Sequence, residues 1–541
     1  MASSGTRTGI NRRGLLIGGG AGVGLLVAWS LWPRVYPPNL RAAEGETLFN
    51  AFLKIATDGR VIVAVPQSEL GQGVYTSLPQ ILADELGADW RTVAVEPAPI
   101  GPLYANAFLA ANAPEDTIPS AWRGLAGWAA GEHDGRAALA LTGGSTSVRA
   151  FEAPLREAGA AARALLSMVA AERWEVDWET LDTRDGFVVN GPQRIGFGEL
   201  AEEASGRELP EHLPVRGGLE NRLTGQPLPR LDLPSKVDGS ARFAGDVRLP
   251  DMVYASARRG PIGGGPLVRI DRDAAEVVQG VIALFENPWW VGAVASNWWA
   301  ANRAVEAMKP AFNSPDEPLS SDTINAALAG ALETDEGVRA YERGDVGEAY
   351  STTPTYRAHY SVGVAPSAPL ETLTATARIT GDRLEVWAPV QAIALARGAA
   401  ARASGLPEGQ VTIYPMLVGG GYGRKLETAA IEQAVMMTAQ VKRPVQLVWS
   451  RVEETMQDGF RPPAAASISA SMGEGGRITG WQARIATPAT VSQVTSRLAG
   501  AADPSGKSDP AMPDGAVSPF HIPSVAIGLH PEAATVVAIV L

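Results

Sequence analysis

The stretch that most restricts how this chain can fold is Leu417-Val-Gly-Gly-Gly-Tyr-Gly-Arg-Lys425. Gly419, Gly420, Gly421 and Gly423 surround Tyr422, between a strand-like run at Gln410–Ile413 and a helix-like run at Thr428–Ala439. Without side chains the backbone can turn sharply and close its N–H groups around an anion, and the start of the following helix adds the positive end of its dipole. Glycine runs also mark plain surface turns, so the residues alone leave both readings open. Two phosphate signatures are excluded. No lysine stands where G-x-x-x-x-G-K-[ST] needs one, and Arg424 fills a position where G-x-G-x-x-G needs glycine.

Composition narrows the chemistry. The 541 residues are 45% hydrophobic, enough for several cores, and 59 glycines and 40 prolines imply many turns. A net charge of -12 argues against a nucleic-acid partner. Cysteine is absent, so the chain supplies no disulfide and no thiolate for zinc or an iron–sulfur cluster; such a centre would belong to another subunit. Five histidines without H-E-x-x-H spacing give no reason to expect a metal held by side chains.

At the N-terminus, Asn11-Arg-Arg-Gly-Leu-Leu16 leads into an uncharged stretch, Gly14–Trp32, that ends at Pro33 and Arg34. Paired arginines before an apolar run resemble a twin-arginine export signal, and the run is also nearly long enough to be a signal anchor. No small-x-small cleavage site follows Trp32, so an N-terminal anchor with the bulk of the chain in the periplasm is expected. Beyond the linker, Asp58-Gly59 marks a hairpin between Leu48–Ile55 and Arg60–Val65. Gly71-Gln72-Gly73 then precedes a helix at Tyr75–Leu86 closed by Gly87. Such a turn brings backbone close to a ligand beside an amide that donates and accepts, and it can equally be an ordinary turn. Thr142-Gly143-Gly144-Ser145-Thr146-Ser147 is rich in hydroxyls and precedes a helix expected at Pro154–Arg173 with proline at its start. It reads as a loop and N-cap or as a place for ligand oxygens; no G-x-S-x-G supports a serine hydrolase.

Pro369-Leu-Glu-Thr372, Leu384-Glu-Val-Trp-Ala-Pro-Val-Gln391, Arg443-Pro-Val-Gln-Leu-Val-Trp-Ser-Arg451 and Gly459-Phe-Arg-Pro462 flank the glycine loop. In this order and spacing the chain resembles the molybdenum hydroxylase family, the molybdopterin-binding large subunits of xanthine dehydrogenase and aldehyde oxidoreductase, with Tyr422 in place of phenylalanine in a GGGFG segment. In xanthine dehydrogenase the GQG and serine segments follow that loop, whereas here they precede it. That permuted order most resembles the isoquinoline 1-oxidoreductase and quinoline-type beta subunits, periplasmic members carrying a twin-arginine signal. Leu228–Pro250 resembles the opening of the family's alpha/beta hammerhead domain.

The resemblance implies a mixed α/β (α+β) fold in five parts. These are a signal or anchor with its linker (1–46), a first molybdopterin-binding region (47–220), the hammerhead domain (228–310), a charged connector (311–357), and a molybdopterin-binding domain incomplete at its C-terminal end (358–541). It implies a molybdopterin with molybdenum, in the cytosine dinucleotide form, lined by Gly71, Gln72, Gly73, Gly143, Gly144, Ser145, Thr146, Ser147, Gly419, Gly420, Gly421, Tyr422 and Gly423. It implies hydroxylation of a small aldehyde or N-heterocycle with water-derived oxygen, electrons leaving to a [2Fe–2S] subunit and onward to a cytochrome c, with Arg461 and Glu371 beside the substrate. Two departures stand against this. Ser367 replaces a histidine found before the family's M-E-P segment, and no G-E-P-type segment bearing the catalytic glutamate follows Arg461. The alternative expectation is an exported, non-catalytic binding or scaffold protein that keeps part of the fold.

Overall fold

The computed structural model describes residues 36–106, 140–217, 221–314, 320–333, 337–350, 356–488 and 516–530. The twin-arginine stretch, Gly14–Trp32, and the apolar Ala534–Leu541 lie outside them. Among the described residues no helix is long and apolar enough to cross a membrane.

The first layer is a four-stranded sheet of β1 (Glu46–Leu48), β2 (Leu53–Ala56), β3 (Val61–Val65) and β4 (Val93–Pro97), in that order. Gly59, at φ +87°, closes the expected hairpin between β2 and β3. Every residue of β3 is buried, because helices cover the sheet. One is α1 (Val74–Leu86), which ends at Gly87 in the left-handed region as the sequence predicts. The other is α2 (Ser147–Trp174). It starts seven residues before the expected boundary, with Pro154 inside it. A proline removes one N–H and strains one turn, and α2 offsets this by burying Phe151, Leu155, Leu165, Leu166 and Val169 in the core it shares with Leu78 and Leu82 of α1. The two helices cross closely at Gly159, where a Cβ would meet the Leu82 carbonyl at 2.8 Å. A small sheet, β5 (Asp182–Arg184), β6 (Phe187–Asn190) and β7 (Gln193–Gly196), and helix α3 (Phe197–Ser205) close this layer.

A second, seven-stranded sheet draws on two distant parts of the chain. Its strands are β8 (Val253–Arg259), β10 (Val281–Asn287) and β11 (Trp290–Ala295) from one part. From the other come β15 (Thr374–Thr380), β16 (Arg383–Ala388), β17 (Val411–Pro415) and β18 (Val445–Val448). The order is β10-β11-β8-β18-β15-β16-β17, with β18 parallel to β8 and β17 parallel to β16. Helices α6 (Ile393–Ser404) and α7 (Ala429–Val441) bury Ala396, Ala400, Ile431, Ala434 and Val435 against Ala375, Val386 and Leu447. Helix α4 (Trp298–Ala307), capped by the Asn297 side chain on the Ala300 N–H, packs behind β8 and β11. Of the four tryptophans here, Trp290 is buried and the Trp298 indole donates to the Val448 carbonyl, whereas Trp289 and Trp299 are exposed.

The charged stretch 311–357 contributes ordered elements. It carries β12 (Ala311–Phe312), which pairs with β9 (Leu267–Arg269), helix α5 (Ser321–Glu333) and strand β13 (Val338–Arg343). A five-stranded sheet runs β13-β21-β20-β19-β14, with β14 at Tyr356–Val362, β19 at Ala464–Met472, β20 at Ile478–Ala486 and β21 at Ser524–His530. The hydrophobic side of α5, Ile324, Leu328 and Ala331, covers Ala486 of this sheet.

Candidate cofactor-binding site

The turns that follow β3, β16 and β17 meet the turn that precedes α2. The glycine loop leaves β17 and re-enters helical structure through a single turn at Arg424–Leu426 before α7. Its glycines are needed for two different reasons. Gly420 and Gly423, at φ +98° and +90°, occupy backbone regions that side chains rarely adopt. Gly419 and Gly421 are pressed against neighbours: a Cβ on Gly419 would stand 2.6 Å from Glu371 Cβ, and one on Gly421 would stand 3.0 Å from Gln391 Oε1 and 3.1 Å from Leu70 Cδ1. Tyr422, at φ +56°, is 72% exposed. The N–H groups of Gly420, Gly421, Tyr422 and Gly423 make no hydrogen bond among the described residues. Four consecutive open donors in a partly left-handed loop form the kind of concavity that binds anions.

The GQG turn lies alongside. The Val418 N–H donates to the Glu69 carbonyl at 3.2 Å, and Leu70 abuts Gly421. The turn is held from within by the Glu69 carboxylate, which is fully buried and accepts from the N–H groups of Gly71, Gly73 and Tyr75 at 2.8, 3.1 and 3.0 Å. Arg230 balances that charge at 3.2 Å and also donates to the Gly71 carbonyl. Gln72 is exposed, and its amide folds back onto its own turn, donating to the Ser68 carbonyl at 2.9 Å and accepting from the Leu70 N–H at 2.6 Å.

The third segment joins through Gln391. Thr142 and Gln391 exchange bonds, and the Gln391 amide oxygen accepts from the Lys425 N–H at 3.1 Å. Thr142 Oγ1 accepts from the Ser68 N–H at 2.8 Å, and Ser147 Oγ donates to Gln67 Oε1 at 2.8 Å. Thr146 is buried: its hydroxyl accepts from Asn106 and donates to the Gly143 carbonyl. Gly144 and Ser145, at φ +61° and +55°, stand exposed at the tip. The three predicted cofactor segments therefore share one site. Sequence pattern does not single out Gln391, Glu69, Gln67 or Asn106 as site residues. The signal for Gln391 was a polar residue directly after the apolar strand end Ala388-Pro-Val390.

Glu371 reaches the site in a different capacity from the one expected. Its carboxylate accepts from the Gly419 N–H at 2.9 Å and the Ala244 N–H at 3.2 Å, so it pins the glycine loop to the turn before β8. Burial pushes its carboxyl above the usual range. Lys425, 1% exposed, donates to the Glu371 carbonyl at 2.6 Å, and burial pulls its ammonium down to about 8. Below the loop, Arg424 forms a buried ion pair with Glu454 at 2.7 Å and lies 5.3 Å from the Trp449 ring centroid. Arg461 is exposed, and its backbone N–H bridges to the Ala365 carbonyl at 2.8 Å.

Two family models, each described as a molybdopterin cofactor-binding domain, match residues 19–99 and 332–499, and these spans contain the GQG turn and the glycine loop. The chain thus carries molybdopterin cofactor-binding domains of the kind found in the molybdenum hydroxylase family. Similar proteins include the beta chain of isoquinoline 1-oxidoreductase of Brevundimonas diminuta, 27% identical over 78% of this chain and 57% of its own length. The membrane-bound aldehyde dehydrogenase [pyrroloquinoline-quinone] of Gluconacetobacter polyoxogenes is 27% identical over 87% and 59%. A nicotinate dehydrogenase subunit of Pseudomonas putida is 25% identical over 87% and 38%. The chain thus spans less than two thirds of the length of each. Aldehyde oxidoreductase of Desulfovibrio gigas superposes on 56% of this chain and 37% of its own with a TM-score of 0.43 at 16% identity.

Proposed function

We propose that the chain is the molybdopterin-binding portion of an oxidoreductase that hydroxylates an aldehyde or N-heterocycle. The observation that carries this reading is the run of four open N–H groups from Gly420 to Gly423, fixed by Gln391 and Glu69 beside two other loops. These donors suit a phosphate of the cofactor, and the exposed Ser145 and the turn at Gly71–Gly73 supply further polar edges on the same face. When bound, the cofactor supplies the oxygen-transfer and two-electron chemistry. The chain's own residues orient it. Lys425 and Gln391 fix the loop from behind, Glu371 holds Gly419, and Arg461, exposed, is available to a charge developing on substrate.

In this reading the cofactor is the cytosine dinucleotide form, and electrons pass to a [2Fe–2S] subunit and then to a cytochrome c, since a cysteine-free chain cannot hold the cluster itself. Residues 228–310 serve as the hammerhead domain. The paired Arg12 and Arg13 direct export to the periplasm, with the following apolar run as the membrane anchor. A second reading, binding without turnover, is favoured by one observation: the Glu371 carboxylate, expected beside the substrate, instead holds the Gly419 and Ala244 N–H groups.

The test is to purify the full chain from a host that makes the cofactor and measure molybdenum, pterin and cytidine per chain. Stoichiometric molybdenum that falls away in Gly420→Val is the expected result. A folded chain with neither metal nor pterin overturns the reading. Turnover of an aldehyde and N-heterocycle panel with an artificial acceptor then separates the two readings.

A further inference from the structure

Each of the three larger sheets ends in two outer strands, and five of those six are blunted. β1 has three residues, β4 and β17 close on Pro97 and Pro415, and β10 and β13 break register partway along. β13 also carries Arg339, Glu342 and Arg343. These devices keep an open row of backbone N–H and C=O groups from pairing with another chain. β14 has none of them. Its seven residues, Tyr356-Arg-Ala-His-Tyr-Ser-Val362, pair with β19 in unbroken register and include no proline, lysine or carboxylate. Among the described residues no strand lies on its outer side.

The two faces of β14 differ. Arg357, His359 and Ser361 point to the side on which α5 packs, because Ser361 stands opposite Ala465 and Ala465 touches that helix. Tyr356, Ala358, Tyr360 and Val362 point to the other side, level with Ala470, Ile468, Ala466 and Ala464. There Tyr356, Tyr360 and Val362 are 47%, 52% and 62% exposed, and the two phenol hydroxyls meet at 2.9 Å across Ala358. An apolar stripe therefore runs along an edge that is itself unpaired, a combination that native chains cover.

We propose that β14 is the interface between two copies of this chain, paired antiparallel about a two-fold axis at His359, so that two five-stranded sheets become one. The strand is complementary to its own reverse. In that register Tyr356 stands opposite Val362 of the partner subunit and Tyr360 opposite the partner's Ala358, a large side chain against a smaller one each time. On the other face Arg357 meets the partner's Ser361 rather than a second cation. An axis at Ala358 or Tyr360 pairs fewer of the strand's residues, and at Ala358 it also sets Arg357 against the partner's His359. Each copy spends its one unblunted edge on the other, so the assembly closes at two. The pairing needs no cofactor, and its failure leaves the proposed function standing.

The test uses the full chain, which has no cysteine of its own, so that single thiols can be placed in it. His359→Cys sets two thiols on the axis, within the Cα separation a disulfide needs, whereas Arg357→Cys leaves its two thiols roughly 14 Å apart. Both positions are exposed. Under mild oxidation His359→Cys is expected to cross-link at least about tenfold faster than Arg357→Cys. Sedimentation velocity of the parent chain at about 100 µM is expected to give a dimer. Tyr360→Lys is expected to raise its dissociation constant about tenfold with an unchanged unfolding midpoint. Should a cysteine variant fail to fold, Tyr360→Lys decides alone. A monomer at that concentration overturns the proposal, whatever other strand or protein then covers the edge. So do equal cross-linking rates in the two cysteine variants, or a dimer that Tyr360→Lys leaves unchanged.

Discussion

Thr142 and Gln391, 249 residues apart, are bonded in both directions: the Thr142 N–H donates to the Gln391 carbonyl at 2.7 Å, and the Gln391 side-chain amide donates to the Thr142 carbonyl at 2.8 Å. With its amide oxygen on the Lys425 N–H, Gln391 is, among the described residues, the one side chain that ties the hydroxyl-rich turn to the glycine loop.

Gln391→Ala removes that tie and strands a buried carbonyl and a buried N–H. Each unmet group costs about 1–3 kcal/mol, so the urea midpoint should fall with little change in slope. Cofactor retention should fall with it. A variant as stable as the parent would show that the two loops hold their places independently.

The two kinds of glycine should respond differently to alanine. Gly419→Ala meets the Glu371 Cβ, an atom with little freedom to move, whereas Gly423→Ala has nothing within 4 Å and bears only the cost of its positive φ. That cost is about 1–2 kcal/mol, and Gly419→Ala should exceed it. Denaturant unfolding of the two variants side by side checks the order.

Glu453 should leave a mark on stability against pH. It is buried, accepts from the Arg259 N–H at 2.7 Å, and burial raises its carboxyl to about 7 from an ordinary value of 4.5. Between those values the folded chain holds a proton the unfolded chain has released, so this group's contribution is full below about 4.5 and is lost as pH rises through about 7. Lys425 behaves the other way. Its charged form is disfavoured in the fold, so its penalty is present below about 8 and is relieved as pH rises toward 10.5. Glu453→Gln should flatten the fall between pH 4.5 and 7; an unaltered profile would refute the assignment.

Glu69→Ala should loosen the GQG turn. Three N–H groups lose a charged acceptor, and bonds of that type contribute about 1.5–3 kcal/mol each. Amide hydrogen exchange at Gly71, Gly73 and Tyr75 should accelerate far more than exchange in β3, while Arg230 keeps its ion pair with Asp232 at 2.7 Å.

Much of this fold is legible in local pattern. The hairpin at Asp58-Gly59, the helix closed by Gly87 and the strand–loop–helix around Gly419–Gly423 all form where short-range chemistry predicts them. The start of α2 was missed because Pro154 reads as a first-turn residue, whereas packing of Phe151 and Leu155 outweighs the lost hydrogen bond. The site was legible in its glycines and hydroxyls, which announce themselves by composition. Its fasteners were not. Glu69, Gln391 and Glu371 look like ordinary polar residues until the fold sets them against the backbone of segments far away in sequence.

The pairing of β8 with β18 has a consequence for biosynthesis. Val253–Ala255 must wait for Val445–Leu447 to emerge before their ladder can form. At the usual pace of translation, about 5–20 residues per second, the β8 edge stays open for roughly 10–40 s. During that interval β8 is paired on one side only, with β11, and its other edge is able to recruit any neighbouring ribbon.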